Sequence, residues 1–153
     1  MSICHHFEGK EEIVAMLYVD GLRGYQEGFV ATLDEAASTR EGVEGAVHHH
    51  LAWIAHHREL AVLLLLERDA RVLTASTDAL RILNVRFFRA VRDWAAPRTR
   101  AGELRDLEPE VLTALWIGPS QELARHLLAD PSRISLTDAA PELAGAAWRS
   151  LTA

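Results

Sequence analysis

The sequence predicts an all-α protein that folds as a bundle of helices. Apolar residues recur at steps of three and four along most of the 153 residues, and no alternating run bounded by hairpin turns predicts a strand. Hydrophobic residues make up 49% of the chain, which is enough to build a substantial core. We therefore expect a folded helical protein rather than a disordered chain.

The first long helix is expected from about Lys10 to Ala37. Its apolar positions have helical spacing, and we expect the following side chains to face inward: Ile13, Leu17, Leu22, Phe29 and Leu33. Ser38 and Glu41 then have the Ser-x-x-Glu form of a capping box, in which each side chain accepts a hydrogen bond from an unpaired backbone N–H. A second helix is therefore expected from this box to about His57.

The middle of the chain is expected to hold an apolar helical segment, a connection and another helix. The apolar segment covers residues 59–67, and the connection covers residues 68–74. The next helix is expected over residues 76–95, because apolar side chains return there at steps of three or four. Pro97 and the charged stretch that follows it, 98–108, indicate the longest loop.

Prolines and small polar residues mark the last two helices. Pro109 suits the first turn of a helix, where its missing N–H would have no helical partner. We expect that helix to reach Asp130, with a bend at Gly118–Pro119 where proline removes a backbone hydrogen bond. Thr137 or Asp138 is expected to cap a final helix that ends near residue 151.

Charge and cysteine content limit the classes of function. The formal net charge is -6, so the chain would on average repel a phosphate backbone, and attraction to nucleic acid would have to be local. The one cysteine, Cys4, excludes an intramolecular disulfide and suits a reducing cytoplasm, where we place the protein. The longest clear apolar run, Leu60 to Leu66, is far shorter than the roughly 20 residues that cross a bilayer, so no membrane partner is expected.

The first twenty residues resemble the end of a DNA-binding helix-turn-helix. In TetR-like (tetracycline-repressor-like) transcription regulators a Leu-Tyr-x-His-Phe run closes the recognition helix, and a Lys a few residues later opens the next helix. Ile3, His6, Phe7 and Lys10 fall on the matching positions, whereas Cys4 stands where the family usually has Tyr. The order and lengths of the expected helices are also similar to the regulatory domain of that family.

The resemblance implies two parts and a function. Residues 1–20 would be the remnant of the helix-turn-helix domain, and residues 21–153 the ligand-binding and dimerisation domain. The protein would be a ligand-responsive regulator of the repressor type, whose small-molecule ligand changes its fit to operator DNA.

Operator binding is expected only if residues upstream of Met1 supply the rest of the helix-turn-helix, because the recognition helix needs a scaffold helix before it. In that form His5, His6 and Lys10 are the expected phosphate contacts. Cys4 also belongs to the DNA-binding remnant, but its side chain cannot make the hydroxyl contact that the family's Tyr makes.

In TetR-like proteins the last two long helices pair with their copies in a second subunit. Here those are the helices expected over 109–130 and 138–151, the second of which is rich in small residues that allow close approach. The resemblance implies a homodimer with these interface residues: Leu115, Leu123, Leu127, Leu143, Ala147 and Trp148. Packing of the last helix within its own subunit is the alternative.

The same family holds its ligand in a cavity inside the helical domain. His50 lies between Val47 and Ile54 at the edge of an apolar face, and Asn84 lies one turn before two phenylalanines. A few polar groups among apolar walls are typical of such cavities. The expected ligand is a small hydrophobic effector, and its expected contacts are His50, Trp53, Ile54, Asn84, Phe87, Phe88 and Trp116. Core packing is the alternative for each aromatic side chain.

Metal and catalytic chemistry have weaker support. His50 and His57 cannot share a metal ion from one helix, because seven residues rise about 10.5 Å. Two Glu-x-x-x-His pairs, Glu44 with His48 and Glu122 with His126, could bind a divalent ion only if their helices faced each other. We expect surface charge pairs there instead, and neither a metal nor a cofactor.

No phosphate loop or nucleophile motif predicts an enzyme. The alternative to a regulator is a helical small-molecule-binding or dimerisation protein that lacks DNA recognition. Such a protein could still act by pairing with a full-length relative.

Overall fold

A computed structural model gives an all-helical protein, as the sequence predicts. It describes residues 9–67, 70–131 and 133–153. These ranges hold seven α-helices, one π-helical segment and no strand: α1 Lys10–Glu35, α2 Thr39–His56, α3 Arg58–Val62, the π-helical segment Leu63–Glu67, α4 Ala70–Arg100, α5 Pro109–Trp116, α6 Gly118–Ala129 and α7 Leu136–Leu151. None of the described helices is long and apolar enough to span a membrane.

The predicted helix starts at Ser38 and Pro109 are confirmed. The Ser38 hydroxyl accepts a hydrogen bond from the backbone N–H of Glu41 at 3.1 Å. The Glu41 carboxylate accepts from the N–H of Ala37 at 3.0 Å, one residue earlier than in the standard box. Pro109 is the first residue of α5. Residues in the first turn therefore determine where α2 and α5 begin.

Two predicted boundaries around α4 are wrong. This helix begins at Ala70, so most of the predicted connection 68–74 is helical. It also continues through Pro97 to Arg100. A tertiary contact holds the helix just before the proline, because the buried Trp94 indole donates to the Leu33 carbonyl at 3.1 Å. The Arg98 guanidinium in turn lies 4.0 Å from the centre of a Trp94 ring.

The last two predicted helices also need correction. The expected bend is a break at Ile117, so α5 and α6 are separate helices, and Pro119 lies in the first turn of α6. Ser135, rather than Thr137 or Asp138, caps α7, because its hydroxyl accepts from the N–H of Asp138 at 3.0 Å. The predicted end of that helix near residue 151 is confirmed.

α2 lies at the centre of the core. Val43, Val47 and Leu51 have no exposed surface, and α2 packs against α1, α6 and α7. α7 contributes small side chains to this contact: Ala140, Ala144 and Ala147. α1 runs antiparallel to α2 and parallel to α4, as the hydrogen bonds between these helices show.

The first turns of α1 do not face the way the sequence pattern predicts. Ile13 and Leu17 were expected inside but are 44% and 59% exposed, and Met16 is 55% exposed. The buried side of this part of α1 is formed by Ala15 and Tyr18, which pack against α4 and the π-helical segment. Ile13, Met16 and Leu17 therefore form an exposed apolar face, called here the N-terminal apolar face.

Two glycines in helices give a matched test of the packing between α2 and α4. A Cβ at Gly42 would lie 2.3 Å from a ring carbon of Trp94, whereas a Cβ at Gly24 would meet nothing within 4 Å. We expect Gly42→Ala to lower the free energy of unfolding by about 1–3 kcal/mol through overpacking. Gly24→Ala should raise it by up to about 1 kcal/mol, because alanine favours the helix.

Chemical denaturation of the two variants measures both effects. Equal changes in the free energy of unfolding would contradict the close approach of Gly42 to Trp94.

Candidate ligand-binding site

A cavity of about 610 Å³ lies between α1, α2, α4 and the start of α6. This volume is within the range of small-molecule sites. Six of the seven residues that the sequence suggested as ligand contacts share its wall: His50, Trp53, Ile54, Asn84, Phe87 and Phe88. The folding of the chain therefore brings α2 and α4 positions, 30 or more residues apart in sequence, to one site.

Trp116, the seventh predicted contact, is not part of the cavity wall. It is 2% exposed and packs between Phe29 and Trp94, with ring centres 5.6 and 5.9 Å away. Its indole N–H donates to the Val43 carbonyl at 3.0 Å. This bond turns the ring into the core next to α2, away from the cavity.

The wall formed by α1 was missed in the sequence. It consists of Tyr18, Leu22, Tyr25 and Gln26. Tyr18, Leu22 and Tyr25 lie four and three residues apart, so their helical spacing placed them on one face. That spacing does not distinguish a cavity wall from a core contact.

Tyr25 and His50 form the polar centre of the site. The Tyr25 hydroxyl oxygen lies 2.7 Å from Nδ1 of His50, and His50 is only 3% exposed. Burial raises the pKa of the Tyr25 phenol, which keeps its proton. If that O–H donates to Nδ1, the neutral His50 ring carries its proton on Nε2. If instead Nδ1–H donated, both the phenol proton and Nε2 would lack partners.

The first arrangement is favoured because it leaves one buried polar group unpaired instead of two, and an unpaired buried group costs about 1–3 kcal/mol. Nε2 of His50 is a buried atom without a hydrogen-bond partner in the described structure. His50 therefore carries an unused N–H donor, and His50 is one of the residues that line the cavity.

Burial also determines the charge of His50. Desolvation, together with a smaller effect of the neighbouring His49, lowers the pKa of this imidazole from 6.5 to about 4. The ring is consequently neutral at pH 7.

His49 and Gly28 hold α1 and α2 close together at this point. Nε2–H of His49 donates to the Tyr25 carbonyl at 2.9 Å, and the two rings lie 5.6 Å apart. A Cβ at Gly28 would lie 2.3 Å from Cε1 of His49. The absence of a side chain at Gly28 is therefore what allows His49 to reach the backbone of α1 beside the site.

A second polar contact joins α1 to α4 at the cavity wall. The side-chain amide N–H of Gln26 donates to the amide oxygen of Asn84 at 2.9 Å. Gln26 is buried, while Asn84 is exposed at the rim. This bond orients the two side chains in the wall, whereas Nε2 of His50 has no partner among the described residues.

A larger groove, of about 860 Å³, lies between α4 and α5. Its four arginines, Arg89, Arg92, Arg100 and Arg105, are all exposed and hydrated. None of the buried unpaired atoms of the described residues lies in its wall. The His50 cavity is therefore the stronger candidate, because it alone of the two combines an apolar wall with a buried polar group that needs a partner.

The Glu/His pairs do not converge on a metal site. Among the described residues, no group of three or more His, Cys, Asp or Glu side chains is placed to bind a metal ion. Glu44 pairs with Arg40 at 2.9 Å, and Glu122 pairs with Arg125 at 3.1 Å. Both carboxylates thus take part in ion pairs on the surface of their own helices.

The six residues expected at a dimer interface lie in or against the core of their own chain. Leu127 and Ala147 are 8% and 3% exposed, so they have almost no surface left for a second subunit. The other four are partly buried and pack against the same core: Leu115, Leu123, Leu143 and Trp148. Of these residues, only the latter four retain surface that a partner could cover.

The expected DNA-contact positions lie at the edge of the described structure. Cys4, His5 and His6 are outside the described residues. Lys10 is exposed as the first residue of α1.

Protonation of His50 is expected to destabilise the fold. In the unfolded chain the imidazole binds a proton near pH 6.5, whereas in the folded chain it does so only near pH 4. Between these values the unfolded state binds more protons. The stability that comes from a neutral His50 is therefore complete above pH 6.5 and is lost as the pH falls toward 4, by about 3 kcal/mol.

Denaturation curves from pH 7 to pH 4 isolate this effect when wild type is compared with His50→Gln. His48→Gln, at an exposed position on the same helix, is the matched control. Wild type and His48→Gln should lose about 3 kcal/mol more than His50→Gln. The same pH dependence in all three proteins would show that His50 is not buried in its neutral form.

Comparisons with known proteins add no family to this description. No known protein-family model matches the chain, and no curated protein matches its sequence. The resemblance to TetR-like regulators therefore stays a prediction from the sequence, based on the four matched positions near the amino terminus and on the expected order of the helices.

Proposed function

We propose that this protein is a ligand-responsive transcription regulator of the TetR type, in which a small molecule bound in the His50 cavity controls DNA binding by a homodimer. The observation that carries the proposal is the cavity itself, a mainly apolar space of about 610 Å³ beside an unpaired buried N–H of His50. Apolar walls with a few orienting polar groups are the usual composition of small-molecule sites.

α1 offers a mechanical link from the cavity to the amino terminus. It is one continuous helix of 26 residues. The helix begins at Lys10 and also contains Tyr25 and Gln26 of the cavity wall. The sixteen residues from Lys10 to Gln26 rise about 24 Å. A ligand that binds one orientation of α1 more tightly than another would make that orientation more populated. The DNA-binding part at the amino-terminal end of α1 would then change its position.

The N-terminal apolar face also supports a further domain at this end of α1. Ile13, Met16 and Leu17 lie together on the helix surface, and all three are more than 40% exposed. A DNA-binding domain that packs there would remove this apolar surface from water, which is favourable. The net charge of -6 is consistent with DNA contacts made by such a domain rather than by the acidic remainder.

A mobility-shift assay on the DNA that flanks the gene tests the proposal. It compares this 153-residue chain with a form extended upstream to the preceding in-frame start. We expect only the extended form to bind, with affinity that falls steeply as salt rises, because binding releases counterions. Binding by neither form would instead favour a ligand-binding or dimerisation protein without DNA recognition.

Two variants of the extended form separate DNA contact from folding. Lys10→Ala should weaken binding and reduce its dependence on salt, since a phosphate contact is lost. Arg81→Ala, at an exposed position on α4, should change neither quantity. Equal effects of both substitutions would contradict a DNA-contact role for the amino-terminal end of α1.

A further inference from the structure

The chemistry of the His50 cavity restricts the ligand more narrowly than its size does. We propose that the ligand is an uncharged, flat aromatic molecule with a hydrogen-bond acceptor, such as an aryl ketone, and that the acceptor takes its bond from Nε2–H of His50. This inference rests on the proposed role of the cavity as the ligand site. It adds the chemical class of the ligand and the residue that selects it.

The hydrogen-bond direction follows from the pairing of His50 with Tyr25. The Tyr25 hydroxyl, 2.7 Å from Nδ1, can place its proton only on that nitrogen among the described contacts. Nδ1 is then an acceptor, and Nε2 must carry the ring proton. A ligand with a carbonyl, ether or ring-nitrogen acceptor satisfies this proton, whereas a ligand with only donors leaves it unpaired.

Aromatic side chains line much of the cavity. The Tyr25 ring lies 5.5 Å from the Trp53 ring and 6.5 Å from the Phe87 ring, in edge-on and tilted arrangements. Phe88 lies 5.4 Å from Phe87 and continues the wall. Such rings offer faces and edges to another aromatic system at the separations that aromatic pairs prefer. A flat ring system therefore suits these walls better than a flexible chain does.

The charges around the cavity argue against an ionic ligand. Of the charged side chains in its wall, Glu122 and Arg125 form an ion pair with each other at 3.1 Å. His50 is neutral because it is buried. A ligand carboxylate would therefore lose its hydration without gaining a free counter-charge from the wall, and this loss is costly.

No other buried polar group competes for the role of His50. Among the described residues, the buried side-chain nitrogens and oxygens without a partner are Nε2 of His50 and Nε of Arg98. Arg98 does not line this cavity, and its guanidinium packs on Trp94. Gln26 and Asn84, two of the amides in the wall, are bonded to each other.

Three naphthalene probes of similar shape test the inference by equilibrium dialysis. 2-Acetylnaphthalene carries a neutral acceptor, 2-ethylnaphthalene has the same ring without one, and 2-naphthoate carries a charge. We expect wild type to bind 2-acetylnaphthalene about 3- to 10-fold more tightly than 2-ethylnaphthalene, the usual worth of one hydrogen bond. We expect 2-naphthoate to bind most weakly.

Variants assign that preference to His50. In His50→Phe the acetyl and ethyl probes should bind equally, while His48→Phe, changed on the exposed side of α2, should keep the wild-type ratio. Tyr25→Phe removes the hydroxyl that fixes the ring proton on Nε2, so the ratio should fall although His50 remains. Far-ultraviolet circular dichroism and melting curves of each variant confirm that it is folded.

The outcomes separate this inference from the proposed function. Equal binding of the acetyl and ethyl probes to wild type would overturn the acceptor requirement and leave the cavity as a ligand site. Tightest binding of 2-naphthoate would overturn the requirement for an uncharged ligand. Failure of all three probes to bind would remove the cavity as a ligand site and with it both conclusions.

Discussion

The close contact between α1 and α2 at Tyr25 and His50 is the constraint on which the rest of the site depends. Gly28 leaves room for the His49 ring, and His49 donates to the Tyr25 carbonyl at 2.9 Å. That contact places the Tyr25 hydroxyl on Nδ1 of His50. The contacts of α1 with His49 and His50 thus hold the buried His50 imidazole in one orientation. They leave its Nε2 without a hydrogen-bond partner in the described part of the chain. The cavity matters to this arrangement because His50 is one of the residues that line it.

A core of this kind would normally avoid an unpaired buried group, since leaving one costs about 1–3 kcal/mol, at least as much as an ordinary hydrogen bond contributes. Among the residues that line the cavity the cost falls on Nε2 of His50, because the other buried unpaired atom of the described residues, Nε of Arg98, lies elsewhere. Neighbouring polar groups have partners: Gln26 bonds Asn84, and the two buried indoles of Trp94 and Trp116 bond backbone carbonyls. The contrast between the paired groups around the cavity and the unpaired Nε2 of His50 is the physical reason for proposing a ligand site here.

Local signals in the sequence predicted much of the fold, and contacts between distant residues account for what they missed. Ser38 and Pro109 act within a single turn, so their helix starts were predictable. Pro97 looked like a helix end because its support comes from Trp94 and Leu33, which are 61 residues apart. For the site, the edge position of His50 was visible in the pattern of α2. Its partner Tyr25 was not, since nothing local to either residue encodes a hydrogen bond across 25 positions.

The most direct test of this account is the protonation state of the His50 ring in the protein without ligand. Nitrogen-15 NMR of histidine-labelled protein distinguishes the two neutral tautomers and the imidazolium, and comparison with His50→Gln assigns the signals. The account predicts a neutral ring at pH 6, with the proton on Nε2 and an unprotonated Nδ1 that shifts when Tyr25 is replaced by Phe. A proton on Nδ1, or an imidazolium at that pH, would contradict it.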